Sequence, residues 1–138
     1  MSGYLLDTQV ISELVRPQPS AKVIAWLEAQ EAETLFLSVL SLGEIEKGIA
    51  RVTDARRRAK LRVWLDREVK TTFAGQVLAI DEEVATTWGK ALAEVGRPLP
   101  AVDSLISATA LYHGLTMVTR NGRDMELPLL TVFNPWEG

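Results

Sequence analysis

Tyr4-Leu5-Leu6-Asp7-Thr8-Gln9-Val10-Ile11-Ser12-Glu13-Leu14 sets the reading of everything that follows it. Tyr4-Leu5-Leu6 is a short apolar run cut off by a carboxylate, the pattern of a strand buried on both faces. From Thr8 the apolar residues change period: Val10, Ile11, Leu14 and Val15 keep helical spacing up to Arg16, and Pro17 and Pro19 end the run. A buried strand, an acid at its end and a helix directly behind it make the opening of an α/β fold.

The same alternation recurs outward. Ser20 caps a helix with Val23, Ile24 and Leu27 on its buried stripe and Trp26 beside it, and Thr34–Leu37 is the next strand. Ser41-Leu42-Gly43-Glu44 has capping-box spacing and leads into a helix through Ile45 and Ile49. Thr53 or Asp54 caps a long charged helix reaching about Val69, and Val77–Ile80 is a third strand. Asp81 caps a helix carrying Val84, Ala85, Trp88, Leu92 and Val95, before a break at Gly96 and Pro98–Pro100. Asp103 opens a helix closed by Gly114. Thr116–Thr119 is a fourth strand, Asn121-Gly122 a turn and Leu129–Phe133 a fifth strand. Strands alternating with helices predict a parallel sheet covered on both faces, with ligands beyond the carboxyl ends of the strands.

The composition fits one soluble domain over residues 1–138: 47% of residues are hydrophobic and 24% charged. Cysteine is absent and His113 is the single histidine, which removes disulfides, thiolate nucleophiles and histidine-based zinc or RNA-cleaving sites. His113, just before Gly114, is placed for a contact with its helix's C-terminal dipole. The apolar N-terminal run breaks at Asp7, so neither a signal peptide nor a membrane span is expected, and the default location is cytoplasmic. Net charge is −3, but Arg51, Arg56, Arg57, Arg58, Lys60, Arg62, Arg67 and Lys70 crowd into one segment. A basic stripe beside an acidic pocket suits an enzyme holding a metal and a phosphodiester together; a solvated helix face is the plainer account.

Several carboxylates fall at one end of this sheet. Asp7 follows the first strand, Asp124 follows the fourth, and Glu44 and Asp103 lie in first turns of helices. Each has an ordinary explanation: Glu44 as the third helical residue of the capping box, Asp103 as a first-turn acid, Asp124 as a solvated loop acid and Asp81 as a cap. Asp7 resists one, because an ionised carboxylate at the end of a buried strand is costly without a cation. Clustered carboxylates without histidine or cysteine suit Mg²⁺ or Mn²⁺. Two such ions ~4 Å apart can activate a water and stabilise the leaving oxygen of a phosphodiester.

These residues also resemble a known family, the PIN-domain endoribonucleases, and within it the VapC and FitB toxins of bacterial type II toxin–antitoxin pairs. Leu5 to Leu14 is similar to their opening motif; Ser38 with Gly43-Glu44-Ile45 and Gly48 to the second; Ala101 to Ala110 around Asp103 to the third; and Val118-Thr119-Arg120-Asn121-Gly122-Arg123-Asp124 to the fourth. The ending Val132-Phe133-Asn134-Pro135-Trp136 is also typical, so the resemblance runs from Tyr4 to Trp136. It implies a PIN-like three-layer α/β domain with a central, mainly parallel five-stranded sheet. It implies Mg²⁺ or Mn²⁺ held by Asp7, Asp103 and Glu44, with Asp124 completing the catalytic acids and Thr8, Thr119 and Asn121 in support. RNA as substrate, a cognate antitoxin, a homodimer and promoter DNA bound only through the antitoxin complex follow from it, with no membrane partner. Arg56, Arg57 and Arg58 become an RNA-guiding or antitoxin-contacting surface. Gln9 departs from the family's usual Asn, and Asn121 stands where many relatives carry a fourth Asp.

Three rival readings stand beside this one. A phosphoacceptor or haloacid-type phosphohydrolase needs further acids beside the first Asp and a later lysine, where this chain has Leu6, Gln9 and Arg120. A catalytically weakened PIN domain acting as a scaffold has Asn121 in its favour. A metal-dependent DNA nuclease could use the same acids, since two-metal chemistry does not require the 2′-hydroxyl. Trp26 and Trp88 belong to core packing, and Trp64 in the basic helix packs in the same way unless a partner surface uses it.

Overall fold

The computed structural model describes residues 2–138; Met1, the first residue of the expected 1–138 domain, lies outside them. Strands β1 (Tyr4–Leu6), β2 (Leu35–Ser38), β3 (Val77–Leu78), β4 (Thr116–Val118) and β5 (Val132–Phe133) form a five-stranded sheet in the order β3-β2-β1-β4-β5. Every pairing is parallel, so the expected mainly parallel sheet is wholly parallel. The β1–β2 register sets Tyr4 opposite Leu35, and the β1–β4 register sets Leu6 opposite Val118. The chain leaves β1 in one direction for β2 and β3, then returns to its other side for β4. That reversal puts a topological switch point at the ends of β1 and β4, the place where ligands of such sheets bind.

Alternation within three residues splits the core in two. Leu6 packs with Val10, Val23, Leu37, Ile45 and Leu65 on one face, whereas Leu5 packs with Ile106, Met117 and Met125 on the other. Helices α1 (Thr8–Ser12), α2 (Ala21–Ala29), α3 (Val39–Ala50) and α4 (Ala55–Val63) contribute to the first face. α7 (Ala101–His113) covers the second, with α6 (Glu82–Val95) outside it through Val84, Ala91 and Ala108. Two short α-helices, α5 (Lys70–Thr72) and α8 (Gly122–Met125), complete the α-helices of the described residues, beside short 3-10 and π-helical segments.

Several boundaries differ from those expected. The first helix tightens into a 3-10 turn at Glu13–Val15 before reaching Arg16. The third begins at Val39, because the buried Ser38 hydroxyl accepts from Leu40 N at 3.0 Å; Ser41 is therefore inside the helix and caps nothing. Of the two possible caps, Asp54 serves the charged helix, accepting from Arg56 N and Arg57 N. That helix widens into a π-helical stretch at Trp64–Val69, which buries Trp64, Leu65 and Val69 together. The third strand stops at Leu78 and the fourth at Val118. α7 opens at Ala101, two residues ahead of Asp103, and closes on a left-handed Gly114 as expected. Asn121-Gly122 leads into α8, and the fifth strand does not include Leu129, whose φ of 69° and full exposure put it in a turn. Asp81 is the expected cap, accepting from Val84 N at 2.9 Å.

Candidate active site

At the switch point Asp7 is fixed from three sides. Its backbone N–H continues the β1–β4 ladder to Val118 O at 2.9 Å, so the carboxylate leaves the sheet at a set height. Its Oδ1 accepts from Thr8 N at 2.8 Å, capping α1, and its Oδ2 accepts from the fully buried Thr119 hydroxyl at 2.8 Å. Both carboxylate oxygens are thus oriented before any ligand arrives.

Glu44 reaches the same place from α3. Starting that helix at Val39 puts Glu44 in its second turn, beyond the capping-box position, so the side chain is not spent on a helix end. Ser41 and Glu44, three apart, share the face toward α1. The Thr8 hydroxyl contacts Glu44 Oε1 and, at 2.8 Å, Ser41 Oγ. A hydroxyl has one proton, so the pair is satisfied when Ser41 donates to Thr8 and Thr8 donates to the carboxylate. Ser41, fully buried, is a site residue that its sequence context hid behind a capping pattern.

Asp103 and Asp124 enter from the other side of β4. Asp103 is the third residue of α7 and makes no capping bond of its own. The Asn121 side-chain amide donates to Asp124 Oδ2 at 3.0 Å and to Asp103 Oδ2 at 3.5 Å, while Asn121 N donates to Thr119 Oγ1 at 2.9 Å. One chain of contacts therefore runs from Glu44 through Thr8, Asp7, Thr119 and Asn121 to Asp103 and Asp124.

The electrostatics follow from that convergence. Burial, reinforced by the charges of Asp103 and Glu44, raises the Asp7 carboxyl to about 6 against the pull of its bonds from Thr119 and Thr8. Asp103 is raised as well, by burial first and then by Glu44 and Asp124. None of the ion pairs among the described residues involves Asp7, Glu44, Asp103 or Asp124. Four carboxylates share one region with no cationic side chain bonded to them. This all-oxygen donor set fits a hard divalent ion. Among the described residues no group of three or more histidine, cysteine, aspartate or glutamate side chains is close enough together to hold a metal ion as it stands. Mg²⁺ rarely needs one, because it keeps several waters and is bound through one or two carboxylates.

The basic residues divide. Arg56 and Arg57 line a cavity of ≈ 450 Å³ with Arg16, Lys60 and Trp64. Arg58 turns the other way, donating to Val52 O at 2.7 Å and lining a separate cavity with Ile49 and Arg62. Trp26 packs edge-on to Tyr4 and against Phe133, and Trp88 donates to Ser104 Oγ at 2.9 Å. Trp136 lies under the Arg120 guanidinium at 4.2 Å.

Known proteins match this chain over nearly its whole length. The PIN domain family matches residues 4–126. Toxin FitB of Neisseria gonorrhoeae is 36% identical, across 96% of this chain and 97% of its own length. VapC ribonuclease Y4jK of Sinorhizobium fredii is also 36% identical, across 96% and 97% respectively. The solved structure of FitAB bound to an IR36 DNA fragment superimposes with a TM-score of 0.89 at 34% identity, covering 96% of this chain and 95% of that one. With its parallel sheet, its acids at the switch point and these relatives, the chain belongs to the PIN-domain family, in the group of the FitB and VapC toxins.

Proposed function

We propose that this protein is a Mg²⁺- or Mn²⁺-dependent endoribonuclease that hydrolyses RNA phosphodiester bonds and acts as the toxin of a type II toxin–antitoxin pair. The observation that carries the proposal is the convergence of Asp7, Glu44, Asp103 and Asp124 at the switch point with no bonded cationic side chain, the Asp7 carboxyl being pushed to about 6. The ribonuclease name borne by a relative 36% identical supports the choice of reaction.

Asp7, Asp103 and Glu44 hold the metal, and Asp124 completes the acidic ring. A bound divalent ion supplies an activated water and charge stabilisation on the phosphodiester. The chain's own residues set the geometry for that chemistry. Thr119 and Thr8 N fix the orientation of the Asp7 carboxylate, and the Thr8 hydroxyl holds Glu44 toward the site. Asn121 ties Asp103 to Asp124 with a neutral donor, which eases repulsion without adding a competing cation. The partners belong to the same proposal: a cognate antitoxin, a second copy of the chain, and promoter DNA held through the antitoxin complex. The structure of FitAB bound to an IR36 DNA fragment supports the DNA-bound assembly, and the second copy rests on the family resemblance alone. A cytoplasmic location is part of the reading, and no described helix is long and apolar enough to cross a membrane.

The test is cleavage of a single-stranded RNA pool by purified wild type and Asp7→Asn, with Mg²⁺, Mn²⁺ or EDTA, beside a DNA of the same sequence. Discrete new RNA ends are expected from wild type with either metal, with none from the variant or in EDTA. Equal cutting of the DNA strand would turn the assignment to a general nuclease. Metal-independent silence on every substrate would leave a scaffold.

A further inference from the structure

A smaller cavity of ≈ 230 Å³, floored by apolar side chains such as Val15, Ile45 and Leu61, opens beside Glu44, the one site acid on its wall. Thr8 and Glu44 stand on its wall together with two guanidinium-bearing residues, Arg16 and Arg57, and with Trp64. Arg16, Arg57 and Trp64 also wall the larger cavity, so the two are parts of one depression leading away from the carboxylates. Arg57 makes no ion pair among the described residues. Arg16 is held by Glu13, an unusual anchor: Glu13 is 3% exposed, its Oε2 accepts from Ser20 N at 2.6 Å and its Oε1 lies 3.4 Å from Arg16 Nη1. A buried carboxylate that both closes the Pro17–Pro19 loop and engages one edge of a mostly exposed guanidinium leaves the rest of that fork free.

An acid cluster by itself repels a polyanion. Phosphates approaching Glu44 and Asp7 need positive charge along the way, and guanidinium forks match phosphate oxygens in pairs. We infer that Arg16 and Arg57 form a two-guanidinium clamp for the RNA backbone phosphate next to the scissile bond, and that Glu13 is the positioning residue that sets Arg16. This deepens the ribonuclease reading and rests on it. Arg58 has no part in the clamp, since it faces Val52 and the opposite cavity.

The experiment measures binding apart from turnover. Fluorescent single-stranded RNA is titrated with Asp7→Asn protein at several salt concentrations, carrying in addition Arg16→Ala, Arg57→Ala, both, Arg16→Lys or Glu13→Gln, with the exposed Lys90→Ala as a charge control. Each arginine loss is expected to weaken binding on the order of tenfold. The slope of log Kd against log salt should shrink by ~0.7 for each phosphate that is no longer neutralised, and Arg16→Lys should recover part of the affinity. Glu13→Gln should weaken binding less than Arg16→Ala does, and a Glu13→Gln, Arg16→Ala variant should bind no worse than Arg16→Ala alone, because the effect of Glu13 passes through Arg16. With Asp7 restored, KM should rise while kcat stays within about threefold.

Wild-type affinity and salt slope in the Arg16→Ala, Arg57→Ala double variant would overturn the clamp. So would an equal effect from Lys90→Ala, or loss of antitoxin binding in place of RNA binding. The ribonuclease reading fails on a different result, namely wild type that cuts no RNA under any metal, and the binding titration still judges the clamp in that case.

Discussion

Replacing Asp7 by Asn should stabilise the metal-free protein at neutral pH while destroying its activity. Burial and the neighbouring Asp103 and Glu44 charges raise the Asp7 carboxyl from 3.8 to about 6. Each tenfold change in proton affinity is worth ~1.4 kcal/mol, so keeping Asp7 ionised in the folded state costs about 3 kcal/mol above neutrality. The sign follows from proton counting. Between about pH 4 and pH 6 the folded state binds more protons than the unfolded one, so stability falls as pH rises through that window and stays reduced above it. Asn carries no charge and has no such slope. It can accept from Thr8 N, but its amide meets the Thr119 hydroxyl less well, a loss of ~1 kcal/mol. The variant should therefore be more stable than wild type by about 1–2 kcal/mol near pH 7.5 in EDTA, and equal or slightly less stable near pH 4. Urea unfolding across that pH range measures the difference directly, and thermal melts should separate by roughly 2–8 °C at the upper end. A stability difference of the same sign and size at both pH values would refute the claim that buried charge at Asp7 is what the site costs the fold.

Adding Mg²⁺ should reverse the order, raising the melting temperature of wild type in a dose-dependent way that EDTA cancels and Asp7→Asn abolishes. Thr119→Val removes the donor to Asp7 and the acceptor for Asn121 N, and should lower metal affinity or cleavage 10–100-fold, roughly the range for groups that orient metal ligands; isothermal titration with Mn²⁺ and an RNA cleavage assay read it. Asn121→Asp exchanges the neutral bridge between Asp103 and Asp124 for a third charge, which should cost ~1–2 kcal/mol without metal. Paired melts with and without Mg²⁺ should show it gaining more from the ion than wild type does. Leu37→Ala, at a fully buried central-sheet position, should cost about 2–5 kcal/mol in urea unfolding and leave the metal dependence of the folded fraction intact.

The acids and the layering were legible because both are written locally. Tyr4-Leu5-Leu6 alternates with the helical spacing of Val10, Ile11 and Leu14, and an acid at the end of a buried strand has few reasons to be there. Boundaries were legible only where one residue could play the punctuating role, as at Gly114 and Asp81. Ser41 reads as the cap of the third helix, but Ser38 takes that role because of where β2 ends, which is settled by pairing with β3 rather than by nearby sequence. Leu129 and Leu130 look like strand residues, yet a left-handed backbone at Leu129 turns the chain before β5. α8 was masked by the turn signal at Asn121-Gly122. The π-helical stretch rests on three buried side chains whose burial only the tertiary fold dictates. Ser41 carries no local mark of a place in the site, because it acquires its partner Thr8 from chain far away.

The two outermost strands of the sheet, β3 and β5, are only two residues long each. Strands that short present too few free amide and carbonyl groups to template the addition of a foreign strand, which is how parallel sheets guard against fibrous association. A second copy of this chain, or any other protein that docks on it, must then be gripped by helix surfaces and loops, leaving the ladder that fixes Asp7 undisturbed by assembly.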